Sequence, residues 1–414
     1  MASNGNGVHH HQNGNGNDNE NGHSAQPTPS PQRLLLVSCP RTASNLLAKI
    51  LSLPDQPNIF TNELGGYFFY DGYQSVLKDN RVYKPIAEWS AEDKDEVQKT
   101  FQKCLDNLED YSERAKGEGK TIFAKEHAFW FSKPTALLDL MKGNNTASAA
   151  SGQNGASSST NGNDNGNGHT PSITLTFPPT YPPTRTFSAL NQTLLPDEYL
   201  RTWKLTFIIR HPALCFPSLY RAMNKLRNLG VLKAENFHEA LATNMSMQWT
   251  RLLFDWCMQQ VDAAGSEEEK QAKEPVLLDA NDVIHNPAAV ARFCEKVGTA
   301  LDPKKLKFEW DSGNGGGQGQ RSTASNGNGG SSGNPITTGS GEEAKAHEAA
   351  KNIMLSTLIG SSGVVKDKAP EVVDIAAEVE KWKKEFGEED AAIVEKAVLV
   401  AMPDYEYLKA RRCA

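Results

Sequence analysis

Three short segments carry basic and hydroxyl side chains at spacings suited to gripping an anion. They are Pro40-Arg41-Thr42-Ala43-Ser44-Asn45, Lys125-Glu126-His127, and Arg210-His211-Pro212 with Ser218 eight positions after Arg210. Guanidinium groups give planar two-point contact to phosphate or sulfate oxygens, and hydroxyls and backbone N–H groups at a helix start add further donors. A histidine beside such a set, neutral near pH 7, can accept a proton. By residue type alone, the three segments read as an anion pocket with a base at its edge.

Each segment stands where a strand should end. Residues 34–37 are a short apolar run before a proline turn, and Ala43, Leu46, Leu47, Ile50 and Leu51 then recur at helical spacing. Residues 121–127 are β-prone and finish in polar side chains, and 205–210 read as a strand buried on both faces. A fourth strand is predicted at 275–279, followed by a helix over 287–297 closed by Gly298. Helices are also predicted at about 89–116, from Pro212 onward, at 237–261, and at 344–358, 371–386 and 388–400. Strands alternating with helices predict an α/β fold, a mostly parallel central sheet flanked by helices. The carboxyl ends of parallel strands meet at one crevice, so Arg41, Lys125, His127 and Arg210 would build a single positive pocket.

Composition narrows the classes. Of 414 residues, the tracts 1–31, 143–170 and 312–343 are almost wholly Asn, Gly, Ser and His. They lack the apolar area that offsets ordering entropy, which predicts a disordered tail and two disordered insertions in one domain spanning 32–414. A net charge of −7 without aromatic–basic interleaving argues against nucleic acid as partner. No apolar run approaches the roughly 20 residues of a membrane span, and the N-terminus has no apolar signal core, so a cytoplasmic protein without a membrane partner is expected. The six cysteines contain no CxxC pair and read as reduced core residues, and no metal is expected. Nothing in the sequence specifies an oligomeric state. Gly119-Lys120-Thr121 supplies only the last three residues of a Walker A loop, with Arg at 114, and precedes a strand instead of following one.

The three segments together resemble the sulfotransferase superfamily, enzymes with a P-loop NTPase-like fold that use 3′-phosphoadenosine 5′-phosphosulfate (PAPS). Pro40 to Leu46 is similar to that family's 5′-phosphosulfate loop, P-[KR]-S-G-[TS]-[TS]-x. Arg210-His211-Pro212 with Ser218 and Tyr220 is similar to its 3′-phosphate motif, R-[ND]-P-x5-S-x-[YW]. Lys125-Glu126-His127 resembles its K-T-H, and 276–280 with Asn286-Pro287 resembles its E-D-L segment. The resemblance implies that Arg41, Thr42, Ala43, Ser44 and Asn45 hold the phosphosulfate and that Arg210 and Ser218 hold the 3′-phosphate. It further implies His127 as base, with Arg41 and Lys125 stabilising charge on the transferred group; Glu126 is a second candidate base. The acceptor would be a hydroxyl or amine of a small molecule, met by the aromatics at 67–70 and 129–131. A non-catalytic nucleotide-binding relative and a small-molecule kinase are the alternative readings. The chain departs from the family pattern at Ala43, often Gly, and at Leu46, a tryptophan in cytosolic members. In place of an R-K-G loop it offers only the Gly/Lys-rich turn 360–368.

Overall fold

The computed structural model describes residues 33–62, 65–142, 173–231, 237–310 and 341–413. Five strands form one sheet: β1 (Arg33–Ser38), β2 (Ile59–Phe60), β3 (Thr121–His127), β4 (Lys204–Ile209) and β5 (Val276–Asp279). Their order is β2-β3-β1-β4-β5, and every pairing is parallel. Helices fill the crossovers. Helix α1 (Ser44–Ile50) leaves β1; α2 (Tyr70–Leu77) and α3 (Ala91–Gly117) precede β3; α4 (Pro134–Met141) and α5 (Asp197–Leu200) precede β4. Between β4 and β5 run α6 (Pro212–Asn228), α7 (Phe237–Asn244), α8 (Gln248–Asp262) and α9 (Glu267–Lys273). After β5 come α10 (Ala280–His285), α11 (Pro287–Val297), α12 (Gly341–Ile359), α13 (Ile375–Phe386) and α14 (Glu388–Lys409).

Strand alternation divides the core. Leu35, Val37, Ala124, Leu205, Phe207 and Ile209 pack with Phe101 and Leu105 of α3 and Trp256 of α8 on one face. Leu34, Leu36, Phe123 and Ile208 face the other way, against Leu47 and Ile50 of α1 and Phe293 of α11. Register sets the site: Ser38 lies opposite both His127 and Ile208, so β1, β3 and β4 end level. The turn holding Arg41, the Lys125–His127 pair and Arg210 therefore leave the sheet at one edge.

The elements expected from sequence are present, joined by helices α2, α4, α5, α9 and α10 that the sequence reading did not place, and three of the differences have a physical reason. The single helix expected over 237–261 is two, broken at Met245-Ser246-Met247, where the Ser246 hydroxyl accepts the Gln248 N–H at 3.2 Å, and Met247 stands at the N-cap of the second helix. Helix α14 continues through Pro403 because burial of Tyr405 and Leu408 outweighs the proline. Strand β2, two residues at the sheet edge, has too little pattern to be read beforehand. The tracts 1–31, 143–170 and 312–343 lie outside the described residues, except that 341–343 open α12. All six cysteines are free and buried. Among the described residues no helix is long and apolar enough to cross a membrane.

Candidate active site

The turn after β1 takes its shape from two left-handed residues, Arg41 and Ala43, both at φ 66°. Thr42 lies buried between them, its Oγ1 donating to the Cys39 carbonyl at 2.8 Å. That bond ties the turn back to β1 and leaves the two flanking stretches to reach in different directions.

Arg41 reaches toward α6 and α12. Its Nε donates to Ser218 Oγ at 3.0 Å and its Nη1 to the Met354 carbonyl. Arg210, just past β4, donates from Nη1 to the Arg41 carbonyl at 3.1 Å and from Nη2 to the Lys368 carbonyl at 2.6 Å. Its Nε is buried and, among the described residues, has no hydrogen-bond partner. Among the described residues neither guanidinium forms an ion pair; the acid that attracts Arg210 through space is Asp279, whose carboxylate accepts from Asn281 N–H and Tyr405 OH, both at 2.8 Å. Burial pulls both arginines below their ordinary pKa, and for Arg41 the neighbouring Arg210 adds repulsion. Two cations thus stand close together, held by carbonyls and a hydroxyl and, among the described residues, without a paired carboxylate, an arrangement that can receive an anion.

Ser44 and Asn45 reach toward β3. Lys125, 1% exposed, donates from Nζ to Asn45 Oδ1 and stands 4.3 Å from the centroid of the Tyr67 ring. Burial draws its pKa down to about 7, against the pull of the Glu126 carboxyl. His127 Nδ1 lies 2.9 Å from Ser38 Oγ, and Ser38 Oγ itself donates to the Glu126 carbonyl at 3.3 Å. With the serine proton on that carbonyl, the serine oxygen accepts from Nδ1–H and the lone pair lies on Nε2, the tautomer suited to a base at Nε2. Burial and the Lys125 charge push His127 down to about 3, opposed by its bond to the Ser38 backbone, so the imidazole is neutral at pH 7. The Tyr67 hydroxyl sits 3.5 Å from Nε2 and also bonds Ser44, bridging the turn to the histidine.

The structure thus brings all the residues singled out from sequence to one end of the sheet. Arg41, Arg210 and Ser218 make one half; Lys125, His127, Ser44 and Asn45 make the other. Glu126 alone points to the opposite face of β3, where Oε1 accepts the Phe68 and Phe69 N–H groups at 2.5 and 3.0 Å. Of the remaining motif residues, His211 caps α6 by accepting Ala213 N–H at 3.1 Å, and the Tyr220 hydroxyl donates to Asp390. The 360–368 turn does reach the site, through the Lys368 carbonyl on Arg210. Sequence reasoning missed Ser38 and the Met354 carbonyl; for Ser38 the usable signal was its place at the level end of β1, opposite His127.

The chain is 34% identical over 381 residues to sulfotransferase ppzF of Metarhizium rileyi (strain RCEF 4871), an alignment covering 92% of this chain and 96% of that one. It belongs to the sulfotransferase family. Sulfotransferase ppzF of Metarhizium majus (strain ARSEF 297) is likewise 34% identical, over 380 residues that cover 91% of this chain and 95% of the relative. No protein-family model and no solved structure matches the chain. As a sulfotransferase the protein is a transferase that draws on a sulfate donor, and it carries this function on a five-stranded all-parallel α/β fold.

Proposed function

We propose that this sulfotransferase moves a sulfuryl group from PAPS to a hydroxyl or amine of a small molecule. The observation that carries the reading is the Arg41–Arg210 pair: Arg41 bonds Ser218 and Arg210 bonds the Arg41 carbonyl, and among the described residues both guanidiniums are held by neutral groups and Arg210 Nε has no partner. A dianionic 3′-phosphate matches that donor set in charge and geometry. PAPS, when bound, supplies an activated sulfuryl group whose transfer needs positioning and charge neutralisation. Arg210 and Ser218 hold its 3′-phosphate, joined by Arg41, which sequence placed at the transferred group but whose side chain turns to Ser218, and the 42–45 turn holds its phosphosulfate end. The cavity of about 710 Å³ lined by His285, Phe308, Trp310 and Lys366 borders the same C-terminal turn and offers aromatic surface for a base, the role that Leu46 cannot fill.

On the other side of the turn, neutral His127 accepts the acceptor's proton at Nε2 while Ser38 fixes the ring. Lys125, tethered by Asn45, presents its ammonium to developing negative charge. The half-buried Tyr67, Tyr70 and Trp130 cover the acceptor side, with Tyr67 and Tyr70 packed 4.8 and 5.0 Å from Trp130. A thermal-shift series tests the reading, because a ligand bound to the native state raises its stability. Adenosine 3′,5′-bisphosphate should raise the midpoint more than ATP at equal concentration; equal shifts would sink the PAPS assignment.

A further inference from the structure

Glu126 is the one ionisable residue of the Lys125-Glu126-His127 segment that turns away from the others, and nothing in the proton transfer uses it. It is 2% exposed, and burying a carboxyl that deeply is costly unless it holds something in place. What it holds is the segment bearing Tyr67. Oε1 takes the two successive amides of Phe68 and Phe69, and Oε2 has no partner. From the other end, Asn62 grips the same segment, accepting Gly66 N–H at 2.8 Å and donating to the Tyr67 carbonyl at 2.8 Å. Gly66 in turn accepts Lys125 N–H at 2.9 Å, an approach so close that a Cβ on Gly66 would meet that nitrogen at 2.7 Å. Tyr67 is thus pinned on both sides, with its ring over Lys125 Nζ and its hydroxyl at His127 Nε2.

We propose that Glu126 is a positioning residue: its carboxyl clamps the Phe68 and Phe69 amides and thereby holds Tyr67 across His127 Nε2 and Lys125 Nζ. The clamp gives Glu126 a task other than that of a base, and it reaches the proton-accepting nitrogen through Tyr67. This rests on the reading of His127 as the base only for its consequence in turnover; the clamp itself is a matter of structure. Glutamine keeps an oxygen to accept both amides, whereas alanine removes it.

The experiment is carbethoxylation of His127 by diethyl pyrocarbonate at pH 6, followed by peptide mass spectrometry on the full chain. Wild type and Glu126→Gln should react slowly and at the same rate, because Tyr67 covers Nε2. Glu126→Ala and Tyr67→Ala should both react several-fold faster. A wild-type rate in Glu126→Ala overturns the clamp, and so does a Glu126→Gln rate matching Tyr67→Ala. The second comparison stands even where Glu126→Ala does not fold. Titration of wild type with adenosine 3′,5′-bisphosphate runs beside it: failure to bind there overturns the nucleotide reading and leaves the carbethoxylation pattern to decide the clamp.

Discussion

Arg41 Nε donates to Ser218 Oγ at 3.0 Å, fastening the turn after β1 to the second turn of α6. The bond joins the loop of one motif to the hydroxyl of another, so both are organised before any anion arrives. Removing the hydroxyl should cost about 1.5 kcal/mol of anion binding, the worth of one charge-assisted hydrogen bond, or about tenfold in Kd. Calorimetry of Ser218→Ala with adenosine 3′,5′-bisphosphate checks this; an unchanged Kd would place Ser218 outside the anion site.

His127 separates binding from chemistry. Its imidazole lies on the β3 side of the turn, away from the two arginines, so His127→Ala should keep the wild-type Kd for the bisphosphate. Sulfuryl transfer from PAPS should fall by about 10²- to 10⁴-fold, the usual contribution of a positioned base. Near-normal turnover in that variant would show that another group takes the proton.

Glu126 gives the stability of the protein a signed pH dependence. Burial raises its carboxyl from 4.5 to about 8 in the folded state, so between those values the folded chain binds more protons than the unfolded chain. Its contribution is fully present below pH 4.5 and is lost as pH rises through about 8. Glu126→Gln removes this loss. The difference in melting temperature, variant minus wild type, should therefore grow steadily from pH 5 to pH 8. A constant difference across that range would mean that Glu126 does not titrate there.

Ala43 holds a left-handed conformation at φ 66° as the residue before α1. That conformation costs an L-residue about 1–2 kcal/mol, while glycine adopts it freely but loses about 0.5–1 kcal/mol through unfolded-state entropy. The balance favours Ala43→Gly by roughly 0.5–1 kcal/mol. Urea denaturation should show a higher midpoint with an unchanged m-value.

Much of this arrangement was legible in the chain because strand ends announce themselves. The apolar runs at 34–37 and 205–209 could be read as buried parallel strands, and the polar residues that stop them are the ones the structure gathers at one end of the sheet. The aromatic and basic residues that proved structural, His211 and Tyr220, carry the same letters as functional ones; only their partners, the Ala213 amide and Asp390, tell them apart. Ser38 was illegible for a related reason. Its bond to His127 depends on the register between β1 and β3, a pairing across 89 positions that no local pattern encodes. The carbonyls of Met354 and Lys368 on the two arginines are further still from sequence inference, since every residue has a carbonyl and only tertiary packing selects these two.

Arg210 is the side chain proposed to meet the 3′-phosphate. The most direct measurement is calorimetric titration of wild type and Arg210→Ala with adenosine 3′,5′-bisphosphate and with adenosine 5′-monophosphate. Wild type should bind the bisphosphate at least about tenfold more tightly, as expected for a buried charge-assisted contact, and Arg210→Ala should bind the two nucleotides alike. Equal affinities in the wild type, or a preference that survives Arg210→Ala, would contradict the assignment of this crevice to PAPS.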